Sequence, residues 1–139
     1  MQSVVNALTV GGLLSTLARD LPDHEALVTP SVRWTFAELE RRAEACARAL
    51  AALGLKKGDR AAVWATNRPE WVLLQFALAK AGLILVTMNT QLKAHEVEYL
   101  LRQSQANALF LIAGFRDLDY VGIFRSLPPL PDLHHVLFL

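Results

Sequence analysis

The feature that most constrains the fold is an alternation of short apolar runs with helical patterns along the middle of the chain. The apolar runs occupy residues 60–65, 83–86 and 107–112, and the stretches between them carry apolar residues at helical spacing. Strands that alternate with helices over short connections pair in parallel through right-handed crossovers. The sequence therefore predicts an open α/β fold, a mostly parallel sheet with helices on both faces, which by itself does not define a function.

The longest predicted helix carries the clearest start signal. Thr35 and Glu38 form a capping-box pattern, in which each side chain accepts a hydrogen bond from the other residue's backbone N–H. Glu38 and Arg42 lie four residues apart on its polar side, as a helical ion pair requires. Gly54 is expected to end this helix, because glycine adopts the left-handed conformation readily.

Other elements are predicted from the same kinds of pattern. Further helices are expected over Val10–Arg19, from Pro69 after an N-cap at Asn67, over Ala94–Gln103 and near Leu118–Leu127. Extended pieces are expected at Ala26–Thr29 and Val32–Trp34, and a last strand is expected from His135. The helix after Pro69 is apolar on every side and must be covered on most faces. The run Leu83–Val86 predicts a strand buried on both faces of the sheet.

Composition and charge exclude several classes of partner. The chain is 53% hydrophobic and 19% charged, which favours a folded domain over disorder. Its 14 basic and 13 acidic residues are scattered, so no nucleic-acid or anionic-membrane surface is predicted. Gln75, Lys80 and Gly82 interrupt the apolar stretch Trp71–Met88, which favours a helix followed by a strand over a membrane span. With a single cysteine, Cys46, and no secretory signal pattern, we expect a cytoplasmic protein.

Motifs for phosphate and metal binding are incomplete. Gly11 and Gly12 lie at the start of the first predicted helix. The preceding strand and the third glycine of a dinucleotide loop are missing, so the first turn of a helix is favoured over a phosphate loop. His95 and Glu96 begin like a zinc-protease helix, yet Tyr99 stands where the second histidine ligand should be. All four histidines are interpreted as structural or solvated.

The cysteine and the tryptophans are interpreted as packing residues. Cys46 lies on the apolar face of the longest helix with no cationic neighbour to favour a thiolate, so it reads as a small buried hydrophobe. Trp34, Trp64 and Trp71 could line a ligand pocket, but they lie in or beside predicted core elements, which favours packing. We therefore predict no catalytic, cofactor-binding or metal-binding residue in the chain.

Several short motifs, taken together, resemble a known family. They are Trp34–Leu39, Leu53–Arg60 and Asn67–Trp71, followed by Val72–Gly82, Asn89 and His95–Leu101. From Val10 to Leu139 the chain is similar to the N-terminal region of the adenylate-forming (AMP-binding) acyl-CoA synthetases, most of all to the fatty-acyl-CoA ligase branch. It departs from the family at Thr87 and Thr90, where many members have proline, and at Lys93, where a Ser or Thr cap is usual.

The resemblance implies a ligase that uses ATP, Mg²⁺ and CoA. A fatty-acid carboxylate attacks the α-phosphate of ATP, and the CoA thiol then displaces AMP. The family's phosphate loop, its acidic ribose motif and its C-terminal domain with the catalytic lysine have no counterpart in this sequence. The chain is therefore expected to bind no cofactor and to be inactive alone.

The resemblance also implies a domain organisation. Residues 1–139 are expected to form a single partial domain, an incomplete part of the large N-terminal domain of an adenylate-forming enzyme, cut within the sheet after Val136–Leu139. Its expected partners are the remainder of the synthetase chain and, through exposed apolar surface, further copies of itself. The alternative is a free-standing α/β protein-interaction module with the same scaffold.

Overall fold

The computed structural model describes residues 9–139, and these residues form two compact units. The first unit contains the described residues up to Lys57 together with Val72–Leu83, and the second contains Gly58–Trp71 and Ile84–Leu139. Two separate segments of the chain therefore form the first unit. The helix that begins at Pro69 contributes residues to both units.

The first unit is built from three helices and a hairpin. Its elements are α1 (Val10–Asp20), β1 (Glu25–Val28), antiparallel to β2 (Arg33–Thr35), α2 (Phe36–Ala52) and the part of α3 (Pro69–Ala81) that follows Trp71. Leu14, Trp34, Leu39 and Ala43 form its buried core. The first predicted helix is confirmed, and so are the two extended pieces predicted at Ala26–Thr29 and Val32–Trp34, which pair as β1 and β2.

The second unit contains the parallel sheet that the sequence predicts. Its elements are β3 (Arg60–Trp64), β4 (Ile84–Thr87), α4 (Ala94–Ser104), β5 (Ala108–Leu111), β6 (Gly114–Phe115), β7 (Leu118–Asp119), α5 (Tyr120–Arg125) and β8 (His135–Phe138). All neighbouring strands of the four-stranded sheet are parallel, in the order β4-β3-β5-β8. The α/β class with a parallel sheet is confirmed.

The strand order creates a switch point between β3 and β5. From β3 the chain first adds β4 on one side and then β5 and β8 on the other. In register, Ala61 of β3 lies opposite Leu85 of β4 and Ala108 of β5. Open α/β sheets bind ligands at the carboxyl ends of the strands where the order reverses. A ligand site is therefore expected at the carboxyl ends of β3 and β5.

The prediction that residues 83–86 form a strand buried on both faces is wrong. The strand itself is present as β4, but it lies at one edge of the sheet and has β3 as its only partner among the described residues. Ile84 at its start is 51% exposed. A short apolar run is typical of both central and edge strands, because burial depends on which strands pair beside it.

Helices α2, α3 and α4 all end in a Schellman motif, which satisfies carbonyl groups of the last turn. At the end of α2, Gly54 N–H donates to Ala51 O (3.0 Å) and Leu55 N–H to Leu50 O (3.3 Å). At the end of α3, Gly82 N–H donates to Ala79 O (3.3 Å) and Leu83 N–H to Leu78 O (2.8 Å). At the end of α4, Gln105 N–H donates to Arg102 O (3.0 Å) and Ala106 N–H to Leu101 O (3.1 Å). Gly54 and Gly82 have positive φ angles of 93° and 72°. Gln105, with φ of 51°, takes the same conformation without being glycine.

The start of α2 confirms the capping box but not the predicted ion pair. Glu38 N–H donates to Thr35 Oγ1 at 3.2 Å, and Thr35 N–H donates to Glu38 Oε2 at 3.0 Å. The Glu38 carboxylate is thus turned toward the cap, while the Arg42 guanidinium lies over the Trp34 ring, 4.6 Å from its centroid. A cation over an aromatic face replaces the predicted pair of Glu38 with Arg42.

The start of α3 differs from the sequence expectation, and the start of α4 shows how a helix begins after a lysine. Helix α3 begins at Pro69, so Asn67 lies two residues before its start and is not the capping residue. Proline fits the first helical position because its fixed φ is already helical. Lys93 precedes α4 and cannot accept a hydrogen bond through its ammonium group, but its own N–H donates to Glu96 Oε2 at 2.8 Å. Half of a capping box is thereby made without a Ser or Thr.

Candidate functional site

The carboxyl ends of β3 and β5 present a small polar edge. After β3, Thr66 is half-buried and Asn67 is exposed; after β5, Ala113 is exposed. The Thr66 hydroxyl and the Asn67 amide can donate and accept hydrogen bonds to a ligand. No acid–base pair stands among these three residues. This edge can contribute to binding, but none of these three residues is a base that could activate the Thr66 hydroxyl as a nucleophile.

Two stacked aromatic side chains support the loop that follows β4. The rings of Trp64 and Tyr120 lie 3.8 Å apart at their centroids with an interplanar angle of 7°, and both side chains are fully buried. Trp64 Nε1 donates to Asn89 O at 3.1 Å, and the Tyr120 hydroxyl donates to Thr90 O at 2.7 Å. The backbone at residues 89–90 is therefore held by two hydrogen bonds from one rigid aromatic pair.

Burial also alters the chemistry of Tyr120. Desolvation raises the pKa of its hydroxyl above the ordinary value of 10.0, although the hydrogen bond to Thr90 acts in the opposite direction. A neutral phenol that donates to a backbone carbonyl is a structural group rather than an acid–base catalyst at neutral pH. The prediction that Trp64 packs in the core is confirmed, whereas its partner Tyr120 was not foreseen.

An ion pair lies at the start of α3. Arg68 Nε donates to Glu70 Oε2 at 2.9 Å, and this hydrogen bond is the largest cause that lowers the pKa of the Glu70 carboxyl. Both side chains keep substantial solvent access. A carboxylate that stays ionised beside an arginine is a poor general base, and the pair orders the first turn of the helix instead.

The glycine pair has a packing role. Thr9 is the N-cap of α1, and its hydroxyl accepts the Gly12 N–H at 3.0 Å. A Cβ on Gly11 would lie 3.0 Å from Lys80 Cγ and 3.3 Å from Lys80 Cα, so α1 and α3 approach closely at this point. Gly11 is thus required for helix contact. This supports the helix-turn interpretation over a phosphate loop.

The His95 motif lies on an exposed face of α4. His95 and Glu96 are exposed, and Tyr99 is 67% exposed. Together with Leu92 and Leu100 they line an open groove of about 730 Å³. Across residues 9–139 no group of three or more His, Cys, Asp or Glu side chains is placed to hold a metal ion.

The remaining candidate residues are structural. Cys46 is half-buried rather than buried, and desolvation raises the pKa of its thiol, which disfavours the reactive thiolate. Trp34 is buried in the core of the first unit, and Trp71 is half-buried. The stretch Trp71–Met88 contains most of α3 and strand β4. None of the helices that the structure describes has both the length and the apolar character needed to cross a membrane.

Two curated relatives of the chain carry the names of acyl-CoA synthetases or ligases and are much longer than the chain. The chain is 43% identical over 123 residues to YngI of Bacillus subtilis, covering 87% of this chain and 22% of YngI. It is 40% identical over 145 residues to the mitochondrial medium-chain acyl-CoA ligase ACSF2 of Danio rerio, covering 93% of this chain and 24% of that protein. The chain spans less than a quarter of the length of these relatives.

Solved structures of the same family superpose closely. The N-terminal domain of FACL13 from Mycobacterium tuberculosis, bound to an inhibitor, gives a TM-score of 0.85 at 31% identity over 94% of this chain and 33% of that domain. A fatty acyl-CoA synthetase of the same organism gives a TM-score of 0.86 at 31% identity over 94% of this chain and 26% of that protein. The profile of AMP-binding enzymes matches residues 14–134. The chain therefore belongs to the AMP-binding enzyme family.

Proposed function

We propose that this chain is the N-terminal part of an ATP-dependent fatty-acid–CoA ligase and that it supplies scaffold rather than catalyst. The observation that supports the proposal is the identity of 37–43% with acyl-CoA ligases over 87–93% of the chain. The family match covers residues 14–134, which include β3, β4 and β5 of the parallel sheet and the segments that connect them. A medium-chain or long-chain fatty acid is the substrate class that the relatives suggest.

The reaction activates a carboxylate by giving it a better leaving group. A carboxylate oxygen leaves poorly, whereas AMP leaves readily once the acyl-adenylate has formed and the CoA thiol attacks. Mg²⁺, lysine and backbone N–H groups would meet the charge that develops on pyrophosphate. The described residues hold no cluster that fits a metal ion, so we assign no step of this chemistry to them.

The role that we assign to residues 1–139 is architectural. The sheet of the second unit places the ends of β3 and β5 beside the aromatic pair of Trp64 and Tyr120, which keeps the backbone at residues 89–90 in position. We propose that this part of a single larger domain supports acyl and nucleotide sites that other segments complete. The chain alone is then inactive. A cytoplasmic location is part of the same proposal, although the ACSF2 relatives are named mitochondrial.

Two observations test this proposal. The reading frame that encodes the chain is expected to continue for several times this length and to include a Ser/Thr/Gly-rich phosphate loop. Calorimetry of the 139-residue chain is expected to show no ATP or acyl-CoA binding at micromolar concentrations. A frame that stops at Leu139 would favour the alternative, a free-standing interaction module, and tight saturable ATP binding would contradict the scaffold role.

A further inference from the structure

The connection between α5 and β8 is rich in proline. Residues 127–131 read Leu-Pro-Pro-Leu-Pro, so proline occupies three of five consecutive positions. The ring of each proline fixes φ at about −65°, and a residue that precedes proline is restricted to extended backbone. Leu127, Pro128 and Leu130 all precede a proline. These restrictions favour a polyproline II conformation, and the structure places neither helix nor strand at residues 127–131.

Burial along this segment follows the three-residue period of a polyproline II helix. Leu127 and Leu130 are half-buried, whereas Pro128, Pro129 and Pro131 are exposed. With about three residues per turn, the two leucines lie on one ridge, which faces the rest of the second unit, and the prolines lie on the other two ridges. The leucines therefore supply the packing. The three prolines form an exposed surface, which we call the proline face.

The segment is held in place at two points. The Arg102 guanidinium donates to Pro129 O at 2.9 Å and is itself oriented by a second hydrogen bond to Glu98 Oε1 at 2.9 Å. Leu133 N–H donates to Leu130 O at 3.2 Å and closes a turn at the end of the segment. A preformed extended segment loses little conformational entropy when a partner binds it. The proline face therefore needs little reordering to bind.

A purely structural role explains only part of this composition. Proline is common one or two residues after a helix cap because it cannot continue the helix. Ser126 is the C-cap of α5, so Pro128 stands where such a stop is usual. Pro129 and Pro131 are not needed for the stop, and their exposed rings are not needed for the packing that the leucines supply. A binding role accounts for all three prolines together.

The chemistry of the proline face selects its partner. Residues 128–131 have the Pro-x-x-Pro pattern, which docks in grooves lined by aromatic side chains. Arg125, the exposed last residue of α5, lines the same open groove as Pro128 and Pro129 and adds a positive charge. We propose that the proline face binds a protein domain whose groove is lined by tyrosine and tryptophan and carries an acidic side chain toward Arg125. This interaction does not depend on the proposed scaffold role.

A WW domain that binds Pro-Pro-Leu-Pro peptides and has an acidic side chain beside its aromatic groove is the probe. The isotope-labelled domain is titrated with the 139-residue chain and, separately, with a synthetic peptide of residues 124–133, and its chemical shifts are followed by NMR. Saturable shifts at the groove are expected with both. Binding of the peptide but not of the folded chain would overturn the proposal, because the proline face would then be inaccessible. Absence of shifts with both would also overturn it.

Variants of the chain separate the proline face from the rest of the surface. Pro128→Ala/Pro131→Ala removes two exposed rings and should weaken binding by about tenfold or more. Arg125→Glu reverses the charge and should weaken binding several-fold. The control Pro30→Ala changes an exposed proline of the first unit and should leave the affinity unchanged. Circular dichroism checks that each variant is folded. Equal affinities of the parent and the folded double proline variant would contradict the proposal.

Discussion

At the residue scale, Gln105 occupies a backbone conformation that glycine occupies at the ends of the two other long helices. Its φ of 51° costs a residue with a Cβ about 1 kcal/mol or more, whereas glycine adopts this region freely. The Arg60 guanidinium donates to the backbone carbonyl oxygen of Gln105 at 2.8 Å, and a glycine at position 105 would keep this hydrogen bond. A change of Gln105 to glycine is therefore expected to stabilise the fold through the backbone conformation alone.

We predict that Gln105→Gly raises the free energy of unfolding by about 0.5–1 kcal/mol. The strain energy that the folded state loses is expected to be larger than the entropic cost of a more flexible unfolded chain. The matched change Gly54→Ala should lower it by about 1 kcal/mol, since an added Cβ there meets no atom within 4 Å and only the backbone is strained. Urea unfolding of both variants measures the difference. A destabilised Gln105→Gly would show that the glutamine side chain matters more than its φ angle.

Tyr120 is the residue whose role was hardest to predict. Its stacking partner and its hydrogen-bond acceptor lie at Trp64 and Thr90, far away along the sequence. No local pattern links three positions so distant, and the parallel pairing of β3 with both β4 and β5 brings their neighbourhoods together. The buried aromatic character of Trp64 was predictable from its apolar strand, but its partner was not.

Tyr120 also gives a prediction for alkaline pH. Because its pKa is raised in the folded chain, the unfolded state ionises first, so stability is full below about pH 10 and falls as the pH rises through the folded pKa. Tyr120→Phe keeps the ring and should lose about 1 kcal/mol at pH 7 with the hydrogen bond to Thr90. Above pH 10 the variant should lose less stability with pH than the parent. Equal alkaline slopes in urea titrations would contradict the burial effect.

At the element scale, the position of a strand in the sheet decides how a substitution acts. Val63 lies in central β3 and is 0% exposed, while Val136 lies in edge strand β8 and is 39% exposed. The same change to threonine should cost about 2 kcal/mol at Val63, where the hydroxyl is buried, and less than about 0.5 kcal/mol at Val136. Chemical denaturation of the two variants provides the comparison. Equal losses would mean that β8 is covered in solution.

The elements themselves were largely predictable because their signals are local. The Thr35 and Glu38 pair marks the start of α2, and Gly54 and Gly82 mark the ends of two helices. The edge position of β4 was not predictable, since it depends on which strand pairs beside it. The hairpin of β6 and β7 was missed because strands of two residues show no periodicity, and α5 accordingly begins two residues later than the predicted helix.

At the scale of the whole molecule, exposed apolar side chains give a prediction about association. Tyr99 on α4 and Phe138 on edge strand β8 are 67% and 64% exposed, and Ile84 on edge strand β4 is 51% exposed. Unpaired strand edges with apolar side chains favour association with further chains. We predict concentration-dependent self-association of the 139-residue chain by sedimentation velocity, reduced several-fold by Phe138→Lys. A strictly monomeric profile at high concentration would contradict this prediction.

The assignment of this chain as the scaffold part of a fatty-acid–CoA ligase is tested most directly by fatty-acid-dependent exchange between ATP and pyrophosphate, which reports acyl-adenylate formation. The full polypeptide encoded by the same reading frame and the 139-residue chain should be compared at equal concentration. We predict exchange with the full polypeptide, dependent on a medium-chain or long-chain fatty acid, and none with the 139-residue chain. Exchange by the short chain, or none by a folded full polypeptide with any fatty acid, would contradict the account.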